Sequence, residues 1–137
     1  MRILSKRCAT IWSKKQELNW TDIAEIEVLH NELASKNDAG AWIPLNNIAF
    51  LIAKATTSTE IQLDKALSFA TMACESTVWK AGGAIDTLAF VYHQKDDLEN
   101  AVKYQKMAKE IATPDKKADY ALKLLKYEKK LEDHSTK

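Results

Sequence analysis

Lys65-Ala66-Leu67-Ser68-Phe69-Ala70-Thr71-Met72-Ala73 lies over Asn100-Ala101-Val102-Lys103-Tyr104-Gln105-Lys106-Met107-Ala108 at a constant offset of 35 residues, with Ala, aromatic, Met and Ala coinciding. Upstream, Ile48-Ala49-Phe50 lies over Leu88-Ala89-Phe90 at an offset of 40, so the first copy carries about five extra residues, placed most economically in the Thr-rich stretch 56–60. Apolar side chains in both copies recur at three- and four-residue steps, the period of a helix rather than of a strand. Each copy is therefore expected to be a helix-turn-helix unit, and the two are expected to stack, because a unit of this size cannot bury its apolar face alone.

The same spacing continues outward and predicts about seven helices in all. The first covers roughly residues 2–17, with Leu4, Cys8, Ile11 and Trp12 on one face. Asn19-Trp20-Thr21-Asp22 opens a second, whose Ile23, Ile26, Leu29 and Leu33 form a stripe ending before Gly40. Pro44 suits the first turn of a third, where its missing N–H costs nothing, and Leu45, Ile48, Ala49 and Ile52 follow as the packing face. In the hydroxyl run 56–59, either Thr57 with Glu60 or Thr59 with Gln62 has capping-box spacing for a fourth helix ending near Glu75. A fifth covers about Trp79 to Gln94, and Asp96 with Glu99 opens a sixth through Ala112. Thr113-Pro114 opens a seventh, which carries Tyr120, Leu124, Tyr127 and Leu131 at steps of four, three and four.

The chain has 137 residues, 46% hydrophobic and 28% charged, with only three Gly and two Pro. That length suits one domain whose core needs neither disulfide nor metal. Scarce turn formers argue against several short strands. An all-α fold in a single domain, 1–137, is expected: an N-terminal helix pair at 1–40, a first repeat at 41–76, a second at 79–113, a capping helix at 114–132 and a flexible tail at 133–137.

The two copies resemble the tetratricopeptide repeat. In the second, Leu88, Ala89 and Tyr92 and then Ala101, Tyr104 and Ala108 match the family's large-small-aromatic and small-aromatic-small positions, closing at Thr113-Pro114. In the first, Ile48, Ala49, Ile52, Ala66, Phe69 and Ala73 match, and both copies carry the second-helix aromatic one residue early. Together they cover about residues 42–115. The resemblance implies a right-handed α-solenoid of antiparallel helix pairs and a protein-binding role. Asp119, Lys123 and Lys126 stand where a third repeat would pack apolar residues, so the last helix is expected to close the stack as a cap. Leu45-Asn46-Asn47-Ile48-Ala49 and Asp86-Thr87-Leu88-Ala89 are also similar to repeat segments attached to bacterial thioredoxin-like proteins; with no C-x-x-C present, that likeness implies nothing about redox activity.

Net charge is +1, which gives the whole molecule no electrostatic case for nucleic acid or a membrane. The charge is uneven: residues 1–20 carry +4, 21–79 carry −5 and 80–137 carry +2. No stretch approaches the roughly 20 apolar residues of a membrane helix. Met1-Arg2-Ile3-Leu4 lacks the apolar run of a secretory signal, so a cytoplasmic setting is expected, or a periplasmic one if Met1 is not the native start.

Catalytic signals are absent from the sequence. Cys8 and Cys74 stand alone, with no histidine spaced for zinc, so idle thiols and no metal or other cofactor are expected. His30 lies beside an apolar stripe, His93 suits a helix C-terminus, and His134 falls in the polar tail without a structural role. Capping explains Asp96, Asp97 and Glu99, and Gly82-Gly83 fits a softened helix start or close helix packing. No nucleophile elbow, phosphate loop, zinc-protease or dinucleotide motif occurs, and no enzymatic activity is expected.

In repeats of the resembled kind the first helices line a concave face. Counting along the two copies and the cap, Asn46, Phe50 and Lys54 correspond to Asp86, Phe90 and Gln94, and then to Tyr120, Leu124 and Glu128. Phe50, Phe90 and Leu124 are expected to form an apolar row with polar borders, suited to a peptide or helix of a protein partner, or to self-association. Phe50 and Phe90 occupy places where family members that clamp a peptide carboxylate need polar groups, which speaks against carboxylate-tail recognition. The expected role is a noncatalytic adaptor or scaffold. The alternative is an accessory subunit of an enzyme or nucleic-acid-associated complex that uses Arg2, Lys6, Arg7, Lys14 and Lys15 at the basic N-terminal end.

Overall fold

The computed structural model describes residue 28, residues 42–55 and residues 58–135. Among them the secondary structure is all-helical, with no strand: α1 Trp42–Lys54, α2 Glu60–Ser76, α3 Gly82–Gln94, α4 Leu98–Ile111 and α5 Pro114–Ser135. The helix expected at 2–17 lies outside the described residues, as does the second except for residue 28, which is helical.

Each helix packs on its predecessor, and α1 also packs on α3. Leu45, Ile48, Ala49 and Ile52 of α1 join Leu63, Ala66, Phe69, Ala70 and Ala73 of α2 and Ala84, Ile85, Leu88 and Val91 of α3 in one core. A second cluster, Ala89, Ala101, Val102, Leu124 and Tyr127, joins α3, α4 and α5. Alanine supplies a large share of both clusters, because a side chain of one carbon lets neighbouring backbones approach closely. The repeated small positions of the sequence are thus the sites of helix-to-helix contact.

The capping alternatives resolve in favour of Thr59. Its Oγ1 accepts from the Gln62 N–H at 3.2 Å, and Gln62 Oε1 accepts from the Thr59 N–H at 2.8 Å. α4 is capped by Asp97, whose carboxylate accepts from the backbone and side-chain N–H groups of Asn100, and not by Asp96 as its spacing from Glu99 suggests. Asp96 has φ 62° and forms the turn before the cap, a conformation that Asp tolerates better than most residues. Just before them, Lys95 reaches back to Glu60 and Asp64 in the first turns of α2, tying the α3–α4 turn to that helix.

α3 starts at Gly82 rather than near Trp79. Val78 and Trp79 have φ 54° and 58°, and the Trp79 N–H donates to Cys74 O at 2.8 Å, so the chain closes off α2 before a new helix can begin. The Trp79 ring stacks on Tyr104 at 5.8 Å. At Gly82 an added Cβ would lie 3.6 Å from the Tyr120 ring and 3.7 Å from Ala108 O, ordinary contact distances. The glycine therefore marks a close approach of α3 to α4 and α5 without being forced by sterics.

α5 continues through 133–135, which were expected to be a flexible tail. His134 Nδ1 lies 2.9 Å from Lys130 O and its Nε2 3.5 Å from Asp96, so the last turn is held against the α3–α4 connection. His134 thus stands in the last turn of α5 and not in a tail.

Candidate functional site

α1, α3 and α5 each contribute aromatic side chains to one line. The Phe50 ring of α1 lies 5.4 Å from the Phe90 ring of α3, tilted by 36°. His93, one turn further along α3, stacks within 6.4 Å of Phe90 and 4.6 Å of Tyr127 on α5. Phe50 is 37% exposed, Phe90 is half-buried and Tyr127 is buried, so the line is open at its α1 end and closed at its α5 end. Lys54 borders the open end, its ammonium 5.9 Å from the centre of the Phe50 ring. Tilted rings at such separations attract beyond the area they bury, which fixes the two phenylalanines as a pair rather than as independent side chains.

Of the eight residues expected in the groove, Phe50, Lys54 and Phe90 come together there. Gln94 stands beside them, its Nε2 donating to Ala53 O at 2.7 Å, which locks the end of α3 to the end of α1. Asn46 is half-buried one turn earlier on α1, and its Oδ1 is buried without a hydrogen-bond partner. Asp86 is engaged elsewhere: its carboxylate accepts from Gln105 Nε2 at 3.0 Å and pairs with Lys123 at 3.0 Å. Gln105, fully buried, also donates to Tyr120 O at 3.2 Å, so Asp86 belongs to a network that fastens α3, α4 and α5 together.

Leu124 and Tyr120 are not part of the groove. Leu124 is 7% exposed, packs with Ala89, Ala101 and Val102, and faces a crevice of about 400 Å³ between α4 and α5, with Lys106, Lys109, Glu110 and Lys117 around it. Tyr120, equally buried, packs at Gly82. The physical reason lies in the pattern that identified α5: residues at steps of four, three and four form the stripe that a helix buries. Members of that stripe cannot also stand free in a groove. His93, with the buried Tyr127 behind it, occupies the place assigned to Leu124, and the signal available for His93 was its three-residue spacing from Phe90 along one helix.

Electrostatics separate the two ends of the line. The His93 imidazole is held below its ordinary value of 6.5, chiefly by burial, with the ammonium of Lys130 and then that of Lys126 adding to the effect against a hydrogen bond in which Gln94 Oε1 accepts from the ring. It is therefore a neutral ring between aromatics and not the helix-end cation its position suggested. Burial pushes the Tyr127 phenol up, so that ring too is neutral. Since the folded state binds the His93 proton more weakly than the unfolded chain, stability is complete above pH 6.5 and falls as the pH drops from there through the lowered value. Melting temperatures between about pH 7.5 and 5.5 should fall for the wild type and fall less for His93→Gln. Equal slopes for the two proteins would show that His93 does not titrate this way.

No three His, Cys, Asp or Glu side chains among the described residues stand together to hold a metal, and no described helix is long and apolar enough to cross a membrane. Cys74 is buried in the core with its thiol pushed up to about 12, which leaves it protonated and poorly nucleophilic. Cys8, His30, Trp12, Trp20 and the basic N-terminal residues lie outside the described residues. Comparison of the chain with protein-family models, with curated proteins and with solved structures finds no match.

Proposed function

We propose that this chain is a noncatalytic helical-repeat module of the tetratricopeptide kind. In this reading seven antiparallel helices form a right-handed stack, which holds a peptide or helix of a protein partner along the face that Phe50 and Phe90 cross. One observation carries it: a paired, partly exposed phenylalanine couple bridging two helices, with a lysine at its border. Apolar anchors with a charged rim are the usual composition of a binding centre, where a few aromatic residues supply most of the affinity. The recurrence of buried alanines at equivalent places in the two copies, Ala49 with Ala89 and Ala73 with Ala108, supports the repeat architecture.

Phe50→Ser tests this reading. The side chain is more than a third exposed, so its loss should leave the melting temperature within a few degrees of wild type. Loss of an aromatic hot spot should weaken association with the partner by at least about tenfold, measured by affinity capture from the native cell followed by titration. Lys54→Glu should weaken it less, as a rim charge does. Retention of wild-type affinity by a folded Phe50→Ser protein would move the binding surface away from this face.

A further inference from the structure

α5 bears two apolar stripes. Tyr120, Leu124, Tyr127 and Leu131 face the other helices, while Ala118, Leu122 and Leu125 lie on the opposite side in the same stepwise pattern, continued by Lys129. Leu122 is 66% exposed and Leu125 63%, on a helix of 22 residues. A helix that is apolar on both sides is normally covered on both sides.

We propose that this outer stripe is the contact with a second copy of the chain, the two α5 helices lying antiparallel about a two-fold axis between Leu122 and Leu125. The charge order along the helix argues for that occupant and that orientation. Asp115 and Asp119 precede the leucines, and Lys126 and Lys129 follow them, all four exposed. Antiparallel pairing sets Leu122 against Leu125 of the second copy. It also places Asp119 close across from Lys126 of the second copy, twice by symmetry. Parallel pairing would instead gather both copies' Asp115 and Asp119 at one end of the contact and both copies' Lys126 and Lys129 at the other. The surface is therefore self-complementary in one direction only. Its position on the outer side of the last helix leaves the Phe50–Phe90 face open, so the contact stands independently of the role proposed for that face.

Sedimentation of the full chain from about 1 µM to about 1 mM, the range in which a contact of modest size dissociates, should show the mass rising from 15.5 kDa towards twice that value. Leu122→Asp, at an exposed position, should keep the wild-type melting temperature and weaken self-association at least about tenfold. Asp119→Lys and Lys126→Asp should each weaken it as well, and the double variant Asp119→Lys/Lys126→Asp should restore it at unchanged net charge. A wild-type protein that stays monomeric throughout, self-association indifferent to Leu122→Asp, or a double variant that remains as weak as the single ones would each overturn the proposal.

Discussion

Phe69→Ala is expected to lower the unfolding free energy by about 3–5 kcal/mol, the largest single loss among the described residues. Phe69 has no exposed surface and belongs to the core cluster shared by α1, α2 and α3, so its loss leaves a cavity in close-packed surroundings that relax only in part. Its ring also carries the ammonium of Lys65 at 5.2 Å, an attraction that disappears with the ring. Domains of this size are typically stable by only about 5–15 kcal/mol, so the variant should stand near the edge of folding at room temperature. Tyr104, which stands at the matching place in the second copy, provides the internal comparison. It is half-buried and lies flat against Trp79 and Tyr92, and removing it exposes surfaces that water can reach. Tyr104→Ala should accordingly cost less than Phe69→Ala. Denaturant titration of both variants, with the slope checked against wild type, decides the matter; a loss below about 1 kcal/mol at Phe69 would contradict the packing described here.

Enlarging the alanines at helix contacts should be the second large effect. Ala89 and Ala108 are fully buried, the first against α4 and α5 and the second beside Gly82 at the start of α3. A leucine at either place adds three carbons where backbones are already close. The helices must then separate or the side chain must leave its preferred rotamer, at a cost of about 1–3 kcal/mol per site. The two sites lie in different clusters, so the penalties should add within a few tenths of a kcal/mol in the double variant. Thermal melts of the two single variants and the double variant are sufficient. Unchanged stability in both single variants would show that neither alanine lies at a close contact.

Much of the helical layout was legible beforehand, for a physical reason that can be traced to particular residues. Thr59 and Gln62 carry their capping box in four consecutive positions, and Pro44 and Pro114 each mark a helix start through the lack of one N–H. These signals act within a single turn and need nothing from the rest of the molecule. Expectation and structure part where a competing local conformation decided the outcome. Asp96 and Asp97 are both adequate caps by composition. Only the turn, with φ 62° at Asp96, assigns the cap to Asp97 and turns Asp96 towards Lys130 and His134. The start of α3 slipped from Trp79 to Gly82 in the same way, because two left-handed residues intervene.

The site was legible in part. Counting from one copy to the next placed Phe50 opposite Phe90, and the rings do meet, because equivalent positions on similar helices are brought side by side when α1 packs on α3. Extending the count to α5 placed Leu124 in the same row, whereas α5 presents Lys123 to Asp86 and Tyr127 to His93 on α3 and buries Leu124 in the cluster with Ala89, Ala101 and Val102. Rotation of a helix about its own axis is set by which stripe it buries and against what. The sequence by itself determined where the described helices run, to within a few residues at their ends, and the small residues at which they meet, since each follows from spacing or chemistry within a turn or two. Only the tertiary structure decided which polar groups were consumed in holding the helices together. Asp86 and Gln94, chosen as free rim residues, are spent on Gln105, Lys123 and Ala53, because a buried donor or acceptor must find its partner across the fold, and sequence spacing carries no record of that distance.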